Sequence, residues 1–332
     1  MDGPSGRRNE KANRELREAV SRAGALLAAV FVMLLLMLAA SLGDGTREAI
    51  VDIVSAGALG KPEETPRPAE DQTVFIRLAD VEKDVGADVI IRLLKASETS
   101  VGMTLSGDEP RILIYHTHDT EAYRPTDDDP YEASEYFRTE DDEKNVIAVG
   151  EELARILREE YGIPVIHAKE KHENPNINAA YSRSLETMRY YKELYPTLEM
   201  FIDLHRDGVS ETGFEKDYVT VGGLQCARMM FVVGTGKSGK SSQYAPEESD
   251  TEHDMPDFES NYALALRLTE TLLSYDPRFM RNVRVKAGKY NQQVSDKCLL
   301  IEVGHNANTL EQAKNSMIYL AKAIAALENG NE

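Results

Sequence analysis

The sequence predicts an α/β domain of three layers with a largely parallel central sheet over residues 110–332. Two observations support this prediction. Short apolar runs with the length of buried strands recur along this part of the chain, and stretches with apolar residues at helical spacing lie between or after them. Strands that alternate with helices form largely parallel sheets that are covered by helices on both faces.

The predicted strands are apolar runs of six residues each. Apolar residues at consecutive positions indicate strands that are buried on both faces, as in a parallel sheet. In chain order the runs are RILIYH (111–116), IPVIHA (163–168), MFIDLH (200–205), RMMFVV (228–233) and CLLIEV (298–303).

The predicted helices have apolar residues on one face, at the spacing of about 3.6 residues per turn. Such a stripe packs against a sheet, while the opposite face stays polar. In chain order the helices are 145–161 with Val149, Leu153, Ile156 and Leu157; 181–194; 259–274 with Leu264, Leu268 and Leu272; and 310–328 with Leu310, Met317, Leu320, Ile324 and Leu327.

An uncharged apolar segment, residues 23–42, precedes the predicted domain. Its length matches the roughly 20 apolar residues that an α-helix needs to cross a bilayer. A cleaved signal peptide is the alternative, because the small residues Ala39, Ala40 and Ser41 end the segment. The apolar core of a signal peptide has only about 7 to 15 residues, so we predict an uncleaved transmembrane anchor.

The charges around this segment predict its orientation. Residues 1–22 carry six Lys or Arg, whereas three acidic residues and one basic residue follow the segment closely: Asp44, Arg47, Glu48 and Asp52. The positive-inside rule then places the N-terminus in the cytoplasm and the rest of the chain outside. We therefore expect a single-pass protein of the cell membrane with an extracytoplasmic domain.

Two further segments connect the anchor to the domain. Residues 43–72 are rich in proline and charge, a composition that predicts a linker or stalk. Residues 73–109 contain short apolar groups that are too few for an independent core, so this part is interpreted as an accessory segment.

The charge balance excludes one class of partner. The chain has 57 Asp plus Glu against 38 Lys plus Arg, a formal net charge of −19. A surface of this sign repels polyanions, so no nucleic-acid partner is expected. The cysteines Cys226 and Cys298 either pair outside the cell or stay free; the apolar run around Cys298 favours a buried free thiol.

Residues 231–241 read FVVGTGKSGKS and match the phosphate-binding pattern G-x-x-x-x-G-K-[ST]. A working phosphate loop opens a helix, because the N-terminus of that helix supplies the anion site. The residues that follow include Pro246 and Pro256 and show no apolar period before about residue 259. We interpret the match as a loop of similar composition and expect no nucleotide.

Polar side chains lie at the ends of the predicted strands. His116 and His118 follow the first strand, His205 ends the third, and Glu302 lies in the last. Ligands of parallel sheets bind at the carboxyl ends of the strands, so these side chains are expected to converge. Each histidine taken alone is better explained as a cap or turn residue, whereas a carboxylate in an apolar strand is costly unless it is paired or binds a metal.

Two imidazoles and one carboxylate with an open fourth position form a catalytic zinc set. His118, His205 and Glu121, which follows His118 by one turn, provide these donors. Glu302 is then free to act as general base toward the water that zinc activates. The predicted chemistry is hydrolysis without a covalent intermediate.

Several runs resemble the stage II sporulation protein P family, in the same order from about residue 110 to residue 325. They are ILIYHTHDTEAY, NPNINAAYSRSLETM, FIDLHRDGV, ARMMFVVGTG, KYNQQ and LLIEVGHNANTLEQA. The resemblance implies a fold similar to that of the zinc-dependent N-acetylmuramoyl-L-alanine amidases. It also implies a membrane-anchored peptidoglycan hydrolase of endospore-forming bacteria, with amidase and cross-link endopeptidase activity.

The same resemblance implies partners and a location. The implied partners are peptidoglycan, a sporulation lytic transglycosylase and a multi-spanning membrane scaffold of the engulfment complex. The implied location is the sporulation septum and the engulfing membrane.

The resemblance also assigns roles to single residues. It places zinc on His118, Glu121 and His205 and the general base on Glu302. Glu121 follows the family's own pattern, but the amidases place their zinc glutamate just before a helix, which makes Glu143 the alternative ligand.

Four more residues are expected near the substrate, with packing as the alternative for each. His116 is expected behind a zinc ligand or against the substrate, and Arg206 against a carboxylate of the substrate. Tyr290 and Asn291 are expected in the substrate groove.

Two other functions are consistent with the same residues. A zinc carboxypeptidase-like peptidase has its ligands and base in a similar order, and it would release a terminal amino acid instead of freeing the amino group of L-alanine. A catalytically inactive wall-binding scaffold would keep the fold alone. Retention of His118, His205 and Glu302 argues for an enzyme.

Overall fold

The computed structural model of the chain describes residues 101–134, 137–209, 217–238 and 257–328, together with residues 81, 89, 92, 93, 96, 99 and 255. Within these residues, no helix combines the length and the apolar character needed to cross a membrane. The predicted anchor, 23–42, and the predicted stalk, 43–72, lie outside the described residues, as do residues 239–254.

The main sheet has six strands: β1 Ile112–Tyr115, β2 Val165–His167, β3 Met200–Asp207, β6 Met229–Gly234, β7 Arg284–Lys286 and β8 Cys298–His305. Their order across the sheet is β2-β1-β3-β8-β6-β7. The strands β2, β1, β3 and β8 run parallel to one another, whereas β6 runs antiparallel to β8 and parallel to β7. The predicted largely parallel sheet is confirmed, and every predicted strand is present.

Helices cover both faces of the sheet. The described helices are α1 Val146–Tyr161, α2 Ala180–Leu194, α3 Phe258–Leu273 and α4 Leu310–Ala325, and short 3-10 turns occur at Ile177–Ala179 and Gln292–Val294. Strand β1 illustrates the layering, because Ile112 and Ile114 pack in the core shared with α1, α3 and α4. Leu113 packs on the opposite face, with Met188 of α2. The predicted three layers are therefore confirmed.

The helix ends follow from local sequence signals. Asn145 caps α1, with its side chain accepting a hydrogen bond from the N–H of Ile147, and Gly162 ends α1 in the left-handed conformation at φ 65°. At the start of α4, Thr309 and Gln312 form a capping box. These helices start at the end of the sheet where the candidate site lies.

Three short elements were not predicted from the sequence. Strands β4 Tyr218–Val221 and β5 Leu224–Ala227 form an antiparallel hairpin outside the main sheet. The hairpin packs against α4. Strand β7 is only three residues long. Elements this short carry too little periodicity to be distinguished from loops.

The described part of the accessory segment packs into the main core. Val89, Leu93 and Leu105 are buried there together with the apolar residues of α1 and α4. Arg92 pairs with Glu259 of α3 at 2.5 Å. The cysteines Cys226 and Cys298 are both buried, and neither forms a disulfide.

Candidate active site

The fold brings His118, His205 and Glu302 to one end of the sheet. His118 follows β1, and β3, which carries His205, lies between β1 and β8. His205 and Glu302 are register partners on adjacent parallel strands. The ring centroids of His118 and His205 are 5.4 Å apart, with the rings nearly perpendicular. The convergence expected from the ends of parallel strands is therefore present.

Glu121 joins this group, whereas Glu143 does not contact it. The buried carboxylate of Glu121 places Oε2 3.4 Å from Nδ1 of His205. The same oxygen accepts the backbone N–H of Arg206 at 3.1 Å. Glu143 is exposed in the turn before α1, where its N–H donates to Asp141. Of the two glutamates considered as ligands, Glu121 is the one beside a histidine.

The surroundings of Glu121 favour its ionised form. Burial raises its pKa, but the hydrogen bond from His205 and the charge of Arg206 outweigh the burial, so that the pKa is lowered overall. A carboxylate that stays ionised although buried is suited to bind a cation.

His118 is held by a carboxylate that the sequence analysis missed. Its Nδ1 lies 2.8 Å from Oε1 of Glu173, a buried side chain in the loop after β2. Glu173 also accepts hydrogen bonds from Arg138 at 2.5 Å and from the Thr120 hydroxyl. Burial raises the pKa of Glu173, but the bond from His118 and the charge of Arg138 lower it overall to about 2. The carboxylate is ionised and can only accept, so Nδ1 of His118 carries a hydrogen.

His205 has a second carboxylate neighbour that was also missed. Oδ1 of Asp203 lies 2.8 Å from Nε2 of His205, within ion-pair distance. Nε2 of His205 nevertheless makes no hydrogen bond of regular geometry among the described residues. The fully buried Asp203 is fixed by Thr117, which donates its N–H at 2.8 Å and its hydroxyl at 2.6 Å. Asp203 could have been identified from the sequence, because it is a carboxylate inside an apolar strand, as Glu302 is.

Glu302 has the environment of a carboxylate that can take up a proton. Its Oε2 is buried without a hydrogen-bond partner among the described residues. Burial is the largest cause that raises the pKa of this carboxyl group, to about 7. The negative charges of Asp207 and Glu121 add to the rise, while His205 and Arg281 oppose it.

His116 lies behind the group rather than beside it. Its Nδ1 lies 2.9 Å from the carbonyl oxygen of Leu204, and its Nε2 lies 2.9 Å from Nε2 of His167. The carbonyl can only accept, so Nδ1 of His116 donates to it. Burial and the neighbouring His167 lower the pKa of His116 well below its ordinary value. This histidine supports the backbone of β3 one residue before His205.

The other expected substrate residues are buried. The guanidinium of Arg206 donates to the backbone carbonyls of Ala122 at 2.9 Å and of Phe137 at 3.4 Å. Tyr290 and Asn291 are 5% and 1% exposed. The amide of Asn291 donates to the carbonyl of Tyr181. In contrast to the expectation of a groove, none of the three presents an open side chain here.

The donors of the group fit zinc by their chemistry. Two imidazoles and a carboxylate are the ligands of a catalytic zinc with one open position. His118, Glu121 and His205 supply these donors, and the carboxylates of Glu173 and Asp203 face His118 and His205. Within the described part of the chain, no three such side chains already surround one point at metal-binding distances. Binding of zinc would therefore require the donors to close around the ion.

Comparison with known families and proteins identifies relatives of the chain. The family described as Stage II sporulation protein P (SpoIIP) matches residues 59–325. A curated relative, Stage II sporulation protein P of Bacillus subtilis (strain 168), is 27% identical over 273 residues. That match covers 77% of this chain and 59% of the relative, so the chain spans about three fifths of the length of the relative.

A solved structure with some likeness is the catalytic domain of CwlV, an N-acetylmuramoyl-L-alanine amidase from Bacillus (Paenibacillus) polymyxa var. colistinus. The two chains are 11% identical, and the match covers 65% of this chain and 95% of the other. The TM-score is 0.34, which is too low to establish a common fold.

Proposed function

The chain belongs to the stage II sporulation protein P family, and from this membership we propose that it is a zinc-dependent peptidoglycan hydrolase. The bond cleaved is the amide between the lactyl group of N-acetylmuramic acid and L-alanine, with peptide cross-links as a second substrate. The observation that carries the proposal is the meeting of His118, Glu121 and His205 next to Glu302.

His118, Glu121 and His205 would hold the zinc ion. Bound zinc supplies a Lewis acid that polarises the amide carbonyl and activates water. His205 lies on β3, whereas His118 and Glu121 lie in the loop that follows β1, the neighbouring strand. The backbone N–H of Arg206 donates to Glu121 and so ties this loop to β3 beside His205.

Glu302 moves the proton. As general base it takes a proton from the attacking water, whose oxygen bonds to the lactyl carbonyl carbon. The carbon–nitrogen bond then breaks, and Glu302 returns the proton to the leaving amino group of L-alanine. No covalent bond to the protein forms, which agrees with the absence of a Ser or Cys nucleophile from this group of side chains.

The products of digestion test this function. The purified full-length chain is expected to release stem peptides with a free L-alanine amino group from insoluble peptidoglycan, as read by mass spectrometry. Loss of cross-linked dimers would show that the chain also has endopeptidase activity. Release of single terminal amino acids would instead identify a carboxypeptidase. Unchanged peptidoglycan in the presence of zinc would indicate that the chain is a wall-binding scaffold without catalytic activity.

We also propose that residues 23–42 anchor the chain in the cell membrane with residues 110–332 outside. The proposed partners there are a lytic transglycosylase and a multi-spanning scaffold protein of the engulfment complex. The support is the uncharged segment with six Lys or Arg before it.

Protease added to intact protoplasts is expected to remove the C-terminal domain from cells that produce this protein. The expectation follows from the orientation of the anchor, because an external protease reaches only extracytoplasmic segments. Immunoblotting against a C-terminal tag measures the loss, and a cytoplasmic marker protein must stay intact as the control. Complete protection of the tag in intact protoplasts, with digestion after lysis, would show that the orientation is wrong.

A further inference from the structure

Two buried carboxylates outside the proposed ligand set contact the two histidine ligands. Glu173 reaches His118, and Asp203 lies beside His205, each at 2.8 Å. Their exposed fractions are 8% and 0%. Burying a carboxylate is costly unless its oxygens are well paired, so both positions call for an explanation.

Glu173 is held in place from several sides. Its backbone N–H donates to Oδ1 of Asp119 at 2.9 Å, which fixes the loop that carries it. Its Oε2 accepts the backbone N–H of Thr120 at 3.1 Å as well as the hydroxyl of that residue. Its Oε1 accepts a hydrogen bond from Arg138 at 2.5 Å and also lies against Nδ1 of His118. The carboxylate therefore stands at one defined position against the imidazole.

The two carboxylates use different nitrogens of their histidines. Glu173 occupies Nδ1 of His118, which leaves Nε2 for another partner. Asp203 lies against Nε2 of His205, which leaves Nδ1, and Nδ1 is the atom that lies 3.4 Å from Glu121. Histidines that bind metals donate their second ring N–H to a carboxylate, carbonyl or water, and this contact fixes the ring and its tautomer. Glu173 makes this contact with His118, whereas Asp203 lies within ion-pair distance of Nε2 of His205 and would make it once the ring turns its N–H to Oδ1.

We propose that Glu173 and Asp203 are positioning residues that hold His118 and His205 with Nε2 and Nδ1, respectively, turned to the metal. Neither carboxylate touches the metal or the substrate. The inference rests on the proposed zinc site and adds to it the residues that orient its ligands.

Arg138 connects this arrangement to the third proposed ligand. One nitrogen of its guanidinium, Nη1, donates to Glu173, and the other, Nη2, lies 3.4 Å from Oε1 of Glu121. The two carboxylates would repel each other, and the guanidinium between them offsets that repulsion. A single cation thus keeps one ligand, Glu121, and one positioning residue, Glu173, in a common arrangement.

Zinc affinity of the purified full-length chain tests the proposal. The variants are Glu173→Gln and Asp203→Asn, which remove the charge and keep the size of the side chain. Competition with a chromophoric chelator should show zinc affinities that are weaker than the parent by roughly 10- to 100-fold. Glu170→Gln is the matched control, because Glu170 is an exposed glutamate that accepts from the hydroxyl of Tyr191. This control should bind zinc as the parent does.

Absorption of the cobalt-loaded proteins gives a second readout. Visible bands of Co²⁺ report the geometry of its ligands, so Glu173→Gln should shift them relative to the parent and to Glu170→Gln. A chain that loses unfolding free energy without zinc but keeps the parental zinc affinity and cobalt spectrum would overturn the proposal, because Glu173 would then be a purely structural residue.

The remaining outcomes separate this inference from the proposed function. A parent chain that binds no zinc would overturn the metal site itself, and this inference with it. A parent that binds zinc, together with variants within about twofold of its affinity, would overturn only the positioning roles. Should Glu173→Gln fail to fold by circular dichroism, Thr120→Val removes the hydroxyl that donates to Glu173 and accepts from Arg138, and it leaves the Glu173 carboxylate in place. That variant should lose affinity in the same direction, and unchanged affinity would count against the proposal.

Discussion

Replacement of Glu302 by Gln is expected to lower the turnover of peptidoglycan by a factor of about 10²–10⁴, the usual contribution of a general base. The amide keeps the shape of the side chain but cannot take a proton from the attacking water. Because Glu302 is not among the proposed ligands, bound zinc should remain at the parental level. Binding to the wall should also persist. Dye release from labelled peptidoglycan, metal analysis and a pull-down on insoluble wall measure these properties on the same preparation.

The control for this variant is Glu311→Gln. Glu311 is an exposed carboxylate in the first turn of α4, the helix that follows β8. The Glu311→Gln variant should hydrolyse peptidoglycan at the rate of the parent. Loss of zinc from Glu302→Gln would make Glu302 a ligand instead of a base, and full activity of that variant would overturn the mechanism.

The strands were predictable because burial on both faces leaves a clear trace in the sequence. In β1 the residues Ile112 and Ile114 face one core and Leu113 the other, so that every position is apolar. The helices were predictable for a related reason, since their apolar stripes pack on that sheet. Both patterns reflect the free energy of burying apolar surface, which acts locally along the chain.

The apolar pattern of a strand does not predict its direction in the sheet. Strand β6 is as apolar as β3, yet it runs antiparallel to β8. Strand direction depends on the path of the connecting segments, and the chain reverses direction between β3 and β6, the stretch that contains the unpredicted strands β4 and β5, and again between β7 and β8. The position of the hairpin of β4 and β5 could not be predicted either, because the hairpin packs against α4, which lies far away in the sequence.

The candidate site was predictable where a strand end supplied the residue. His118, His205 and Glu302 were found because the carboxyl ends of β1, β3 and β8 meet at one edge of the sheet. Glu173 could not be found in this way, since it lies in the polar stretch KEKHENPN and reaches His118 only through the fold. Arg206 follows His205 directly, but the structure turns its guanidinium to backbone carbonyls.

His205→Ala separates the ligand from the base. Removal of a proposed ligand should weaken zinc binding by more than the roughly 100-fold upper limit for loss of an orienting partner. Zinc content and hydrolysis should therefore fall together, in contrast to Glu302→Gln, which keeps its metal. The deletion also leaves the buried Asp203 without the imidazole that faces it, so added zinc should restore activity only in part.

His167→Ala is the matched control for the loss of a histidine. His167 contacts His116 and Glu151 under α1, outside the proposed ligand set. The His167→Ala variant should keep the zinc content of the parent, even if its unfolding free energy falls. Metal analysis of both variants after dialysis, with circular dichroism to establish folding, measures the difference. A folded His205→Ala chain that retains parental zinc would remove His205 from the ligand set, and the metal would then have to be held by other donors than the ones proposed.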